Sequence, residues 1–149
     1  MEKTVVMIKP DGIQKNLVGE ITRRIEQEGL MIVFSKTVKL TEKQVCELYK
    51  DSLEKFPQIK KEMVEYMTEA PSILMIVEGD GAIQKMRKIR GLTNPAKSPV
   101  GSVRRDFAGD YDTDELTPKG KVTKNIMHSS GTKEEADFET KLFFGENEA

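Results

Sequence analysis

The stretch NIMHSSGT, residues 125–132, holds His128, the only histidine among 149 residues. An imidazole titrates near neutral pH, so it can serve as acid, base, nucleophile or metal ligand. A transition-metal site would need further ligands, and the chain has no second His and a single Cys, Cys46. A Ser-His-Asp hydrolase of the elbow type would need G-x-S-x-G, which does not occur. Attack on phosphorus needs less: one ring nitrogen free and the other held by a carboxylate or a carbonyl. Glu139 lies eleven residues on, at the end of a predicted short helix, and is the carboxylate best placed to hold the ring. Glu135 reads as a helix-capping residue and is the weaker candidate.

Groups able to bind phosphate gather elsewhere in the chain. Arg87 and Arg90 fall in the C-terminal half of a predicted helix, GLTNP supplies Thr93 and Asn94, and GSVRRDF supplies Arg104 and Arg105. Lys9 ends the first predicted strand, where a side chain is held rigidly. Arginine offers a planar fork matched to phosphate oxygens, and lysine a compact charge. Basic residues on their own are usually solvated surface charges. The small and hydroxyl residues of GLTNP and PVGSVR shift the reading toward an anion site. No GxxxxGK[ST] is present, so phosphate would not be held by a Walker loop.

These residues need a scaffold. TVVMI, residues 4–8, reads as a buried strand stopped by the turn KPDG. Residues 17–29 carry Val18, Ile21 and Ile25 at helical spacing, with Gly29 as the stop. Residues 30–40 form a second strand, and Thr41 caps a helix over 42–49. Pro57 interrupts the pattern before a helix over 58–67. SILMIVEG, residues 72–79, is a third strand, followed by a basic amphipathic helix over 81–91. From Leu92 to Ser130 only short pieces are predicted, and so long a loop in a small domain is usually functional or wrongly assigned. Thr132 then caps a short helix, KLFF at 141–144 reads as the last strand, and the tail from Gly145 is expected to fray. The fold class is α+β: a ferredoxin-like βαββαβ order, a four-stranded antiparallel sheet with helices packed on it. No repeat or linker divides residues 1–149, so one domain is expected.

Composition narrows the partners. Lys and Arg number 24 against 25 Asp and Glu, a formal charge of −1 that carries no global bias toward nucleic acid or anionic membrane. No apolar run reaches the roughly 18 residues that a membrane span needs, and the N-terminal residues do not read as an export signal. A single cysteine fits a reducing compartment, so a cytoplasmic protein is expected.

Four motifs in order, KPDG, TNP, GSVRRDF and NIMHSS, together with APSILMIVEG, resemble the nucleoside diphosphate kinases over nearly the whole chain. The resemblance implies that His128 takes the γ-phosphoryl group of a nucleoside triphosphate on Nδ1 and passes it to a nucleoside diphosphate. Lys9, Arg87, Thr93, Arg104 and Asn125 match positions that bind the phosphates and the sugar hydroxyl. Tyr49 matches the tyrosine beside the histidine, Glu139 the carboxylate that orients it, and Ser130 the serine of the same hydrogen-bonded group. Phe56 is expected to stack on the base, although the spacing also allows Ile59. Mg²⁺ would arrive on the nucleotide, held by phosphates and water. A homotetramer or homohexamer is implied, with no membrane and no specific nucleic acid as partner.

Three departures stand out. The segment between Phe107 and His128, around YDTDELTPKGKVTK, is longer than in typical members. Arg105 replaces a glycine, and Gly131 replaces an acidic residue. The longer segment and Arg105 motivate a second reading, a nucleotide-binding regulator that does not catalyse; a third reading is an interaction module in which His128 is inert.

Overall fold

Seven residues, Glu2–Ile8, form β1, the strand on which the site is built. The structure is a computed structural model that describes residues 1–148, with side chains through residue 145. After β1 come α1 (Pro10–Gln14), α2 (Val18–Gln27), β2 (Met31–Val38), α3 (Glu42–Leu48), α4 (Lys50–Lys55) and α5 (Lys60–Thr68). Then follow β3 (Ser72–Gly79), α6 (Ala82–Arg90), α7 (Val103–Ala108), α8 (Thr113–Leu116), β4 (Met127–Ser129) and α9 (Lys133–Glu148). The sheet order is β2-β3-β1-β4 and every pairing is antiparallel.

Helices cover both faces of the sheet. Val6 and Ile8 of β1 pack with Ile21 and Ile25 of α2 and with Met86 and Ile89 of α6. Val5 and Met7 point the other way, into Val45 of α3, Met63 and Met67 of α5 and Phe143 of α9. Such two-sided burial explains why TVVMI is a continuous apolar run rather than an alternating one. The alternation extends to β4. His128 lies opposite Met7, whereas Met127 and Ser129 lie opposite Ile8 and Val6. His128 therefore shares the face of α3, α5 and α9, and its two neighbours share the face of α6.

Two expectations are corrected. KLFF is not a strand: residues 141–144 continue α9. Ala136, Glu139 and Phe143 are buried at helical spacing, and Phe34 meets the ring of Phe144 edge-on at 5.5 Å. A short apolar run cannot be told from a piece of buried helix by its pattern alone. The fourth strand comes instead from the predicted loop, as the three residues that carry His128. KPDG is also more than a turn, because Pro10 opens α1 in the position where its missing N–H costs nothing. Gly145, at φ 66° and ψ −175°, interrupts the helical backbone near the end of the chain. The tail expected to fray from there ends at Ala149, which lies outside the described residues.

One clamp sets the approach to β4. Ile126 has φ 79°, a left-handed conformation that is strained for a β-branched residue. Its N–H donates to Asp11 Oδ2 at 3.0 Å, and its carbonyl accepts from Lys9 N at 2.8 Å. Asp11 Oδ1 also accepts from the buried Tyr66 hydroxyl of α5. Gly12 permits the close approach, since a Cβ there would stand 2.9 Å from the Ile126 carbonyl oxygen. Replacing Asp11 by Ala strands the Tyr66 hydroxyl and the Ile126 N–H in a dry interior. The expected loss is about 3 kcal/mol of unfolding free energy, read from urea midpoints at unchanged m; a loss below about 1 kcal/mol would mean that the clamp carries little.

Candidate active site

A cleft of about 620 Å³ opens over β4 and is lined by Lys9, Tyr49, Arg87, Arg90, Thr93, Arg104, Asn125, His128 and Glu139, among others. A larger cleft of about 740 Å³, between α2 and α6, contains no part of the histidine. Nine of the ten residues expected at the site thus fall at or against one cleft. The ninth, Ser130, is fully buried behind His128.

His128 is held by one nitrogen. Nε2 stands 2.7 Å from Glu139 Oε1, and Ser130 Oγ donates to the same oxygen at 2.9 Å. Glu139 is on α9, one helical turn before Phe143, so packing of that helix fixes the carboxylate. A carboxylate oxygen accepts, so Nε2 carries a proton, and in the neutral tautomer that this selects, Nδ1 is the nitrogen with the lone pair. Nδ1 has no protein partner among the described residues. Tyr49, between α3 and α4, packs edge-on to the imidazole at 6.4 Å between ring centres. Its buried hydroxyl has no hydrogen-bond partner among the described residues, and burial pushes its pKa up, which keeps it a neutral donor.

The cations around the ring are unusual in their burial. Lys9 is 3% exposed; its Nζ donates to Asn125 Oδ1 at 2.7 Å and stands 5.4 Å from the centre of the Tyr49 ring. Burial, and then the charge of Arg104, pull its pKa down to about 7. Arg104 is 5% exposed and is held by carbonyls: Nη1 donates to Leu92 O at 3.0 Å and Nη2 to Met127 O at 2.8 Å. Burial and Arg90 lower its pKa to about 9, so it remains a cation at neutral pH. Asn125 completes the wall by donating to Thr93 O at 3.3 Å. Arg87 and the Thr93 hydroxyl make no protein hydrogen bond among the described residues.

Phe56 is not among the residues lining this cleft. It is 42% exposed and borders a separate pocket of about 390 Å³, with Gln58, Thr113, Asp114, Thr117 and Pro118. Ile59, the other residue allowed by spacing, is buried in the core and has no free face to offer. The long segment after Phe107 is ordered by its own hydrogen bonds. Asn94 Nδ2 donates to Asp112 Oδ1 at 2.8 Å, Thr113 N donates back to Asn94 Oδ1, and Val122 N donates to Glu62 Oε1. Arg105 lies inside helix α7, so no glycine conformation is required of it, and its Nη1 donates to Ala96 O at 2.9 Å. The cap of α9 departs slightly from the expected box. Glu135 N binds Thr132 Oγ1, but the Glu135 carboxylate reaches back to Gly131 N.

One residue of consequence has no sequence expectation of its own: Asp11 reads only as part of the KPDG turn, yet it clamps Ile126 and Tyr66. The usable signal for Asp11 was a carboxylate placed directly after a buried strand.

Lys9 carries a pH signature. Its pKa is near 7 when folded and 10.5 when unfolded, so the unfolded chain binds more protons between those values. The destabilisation is complete below about pH 7 and is relieved as pH rises toward 10. Urea unfolding from pH 7 to 10 should therefore show wild type gaining stability relative to Lys9→Met. Parallel profiles for the two proteins would rule out a desolvated Lys9.

Comparison with known proteins identifies the family. The sequence profile of the nucleoside diphosphate kinase family matches residues 2–149. A nucleoside diphosphate kinase of Desulforapulum autotrophicum is 38% identical over 148 residues, covering 99% of this chain and 98% of that protein. One from Methanothermobacter thermautotrophicus is 39% identical, covering 99% and 90%. Among solved structures, an NDP kinase from Pyrobaculum aerophilum superposes with TM-score 0.85 at 29% identity, covering 99% of this chain and 97% of that one. A transition-state mimic of the Borrelia burgdorferi enzyme, with bound vanadate and ADP, superposes with TM-score 0.89 at 27% identity, covering 99% and 89%. With its full length matched by one family and its cleft residues assembled around one histidine, the chain belongs to the nucleoside diphosphate kinase family.

Proposed function

We propose that His128 is the phosphoryl carrier of a nucleoside diphosphate kinase reaction. The observation that carries this reading is the imidazole itself, with Nε2 tied to Glu139 and Nδ1 free in a cleft of cations. Nδ1 attacks the γ-phosphorus of a nucleoside triphosphate, an N–P bond forms, the bond to the β–γ bridging oxygen breaks, and the diphosphate leaves. A second nucleoside diphosphate then attacks with its terminal oxygen, and the N–P bond breaks. Glu139 stabilises the positive charge that the ring gains, and Ser130 holds Glu139.

Lys9, Arg87 and Arg104 face the charge spread over the phosphate oxygens, which is where phosphoryl transfer draws its stabilisation. The Thr93 and Tyr49 hydroxyls are donors without protein partners among the described residues, and Asn125 lies beside Lys9 to reach phosphate or sugar. The base is assigned to the pocket of Phe56 and the segment at 113–118, whose Thr113 N donates to Asn94 Oδ1, in the residue after the cleft residue Thr93. Among the described residues no group of three His, Cys, Asp or Glu is disposed to hold a metal. Mg²⁺ would enter on the nucleotide, held by phosphate oxygens and water, and would neutralise phosphate charge when bound. Arg105 and the long segment, which motivated a regulatory reading, tie off onto the 94–98 loop and leave His128 lining the cleft.

The other inferences are coarser. No helix among the described residues is long and apolar enough to cross a membrane. The edge strand β2 leaves Met31, Val33 and Phe34 exposed, which supports burial against further copies in a homotetramer or homohexamer. The single cysteine supports a reducing, cytoplasmic setting.

Incubation with γ-labelled ATP and Mg²⁺ should label wild type and not His128→Ala, and a chase with GDP should release the label as GTP. The label should be stable to alkali and labile to acid. Binding of ATP without any label would overturn the carrier role. Phe56→Ala should raise the KM for nucleoside diphosphates roughly tenfold at little cost in kcat, the loss of one stacking contact. An unchanged KM would remove Phe56 from the base site.

A further inference from the structure

Arg90 ends α6 on the wall of the cleft that holds His128, yet no role above uses it. Its Nε donates to Ser129 Oγ at 2.7 Å, and its Nη1 donates to Gly91 O at 2.8 Å. Two of its three nitrogens are thus fixed, one by the residue next to His128 and one by the end of its own helix. Nη2 makes no protein hydrogen bond among the described residues, and the guanidinium makes no ion pair there. The nearby charges are of both signs: Arg87, Lys9 and Arg104 repel it, while Glu135 and Glu139 attract it. A half-buried guanidinium immobilised by neutral oxygens beside other cations is costly in the free protein. It is preorganised for an anion, since its fork needs no reordering when one binds.

We propose that Arg90 is a further catalytic residue, its free Nη2 binding an oxygen of the phosphoryl group as that group moves onto His128. The inference rests on the carrier reading of His128 and names one more group at the same site. Arg90 is set apart from Arg87, which is exposed and makes no protein hydrogen bond among the described residues, and from Arg104, whose two terminal nitrogens are already bound to carbonyls. Ser129 acts as a positioning residue: through Nε it ties the guanidinium to β4, so that the cation and the imidazole keep one geometry. The charge delivered to the ring is greatest while the phosphoryl group is in flight or resting on it. The contact should therefore act on the rate of transfer more than on the binding of the triphosphate.

Rapid-quench single turnovers with γ-labelled ATP and Mg²⁺ test this on the full chain. The set is wild type, Arg90→Ala, Arg90→Lys, Ser129→Ala, and Lys88→Ala as a charge-loss control on the exposed side of α6. Arg90→Ala should label to the wild-type level but about 30-fold more slowly, within the range for loss of one preorganised donor. Millimolar guanidinium should restore part of that rate, and Lys88→Ala should match wild type. Arg90→Lys, which keeps the charge without the fork, should fall between and decides the matter if the alanine variant does not fold. Ser129→Ala should slow labelling less than Arg90→Ala. The proposal is overturned if Arg90→Ala or Arg90→Lys labels as fast as wild type. It is equally overturned if Ser129→Ala reproduces the whole defect and guanidinium rescues nothing, because Arg90 would then only brace β4. Failure of wild type itself to take label is a different result and strikes at the carrier role of His128.

Discussion

Two cations sit in the interior with no direct ion pair among the described residues, the Asp11 carboxylate attracting both only partly against their burial, and the surrounding structure is arranged to tolerate that. Arg104 is bonded to the carbonyls of Leu92 and Met127, and Lys9 to the amide oxygen of Asn125. Neutral dipoles satisfy the hydrogen bonds but leave the charge in place. The Arg104 guanidinium consequently fastens the loop after α6 to β4, while holding positive potential that only a ligand can discharge. A polyanion that binds here removes an internal repulsion as well as making contacts. It should bind the folded form far more tightly than surface charges would achieve, because the repulsion has already been built in by folding.

The imidazole is managed by the opposite strategy. Glu139 is buried but accepts from two donors at one oxygen, His128 Nε2 and Ser130 Oγ. The ring is therefore set by a carboxylate that is itself set, and the packing of Phe143 and Phe144 under α9 fixes where that carboxylate stands. Rigid helices supply the orientation, and strand β4 supplies the position. The division agrees with the general need of phosphoryl transfer, which asks for placement and dispersed positive charge more than for covalent machinery.

Much of the frame was legible in the residues. β1, β2, β3, α2 and α6 announce themselves by period, by glycine stops and by continuous apolar runs. β4 did not, since three residues carry no period and their pairing with β1 spans more than a hundred positions. KLFF misled for a related reason: its apolar run is short, and only the burial of Ala136 and Glu139 upstream makes it helical. Composition and spacing could argue for phosphate chemistry at His128. The assembly of Lys9, Tyr49, Asn125 and Ser130 around it came from motif resemblance, because no local rule links residues so distant in sequence. The Asp11 clamp depends on Tyr66, 55 residues away, and was out of reach of any local pattern. Phe56 shows the limit from the other side. The motif pointed to the histidine's cleft, whereas the ring borders a separate pocket with residues of the 113–118 segment, which no local pattern around Phe56 could show.

The shortness of β4 has a consequence for how the chain can vary. A strand encodes faces by parity, and here odd and even positions have different tasks: Met127 fills the core under α6, His128 enters the cleft, and Ser129 turns back toward Arg90. Gain or loss of a single residue after Ile126 would exchange these tasks, putting an imidazole into hydrocarbon and a thioether where His128 now lines the cleft. The bonds of Lys9 and Asp11 to the backbone of Ile126 act as a frame marker that protects this count. Length can change freely only upstream of the marker. The segment between Phe107 and His128 lies mostly there, so changes in its length before Asn125 leave the parity of Met127, His128 and Ser129 undisturbed.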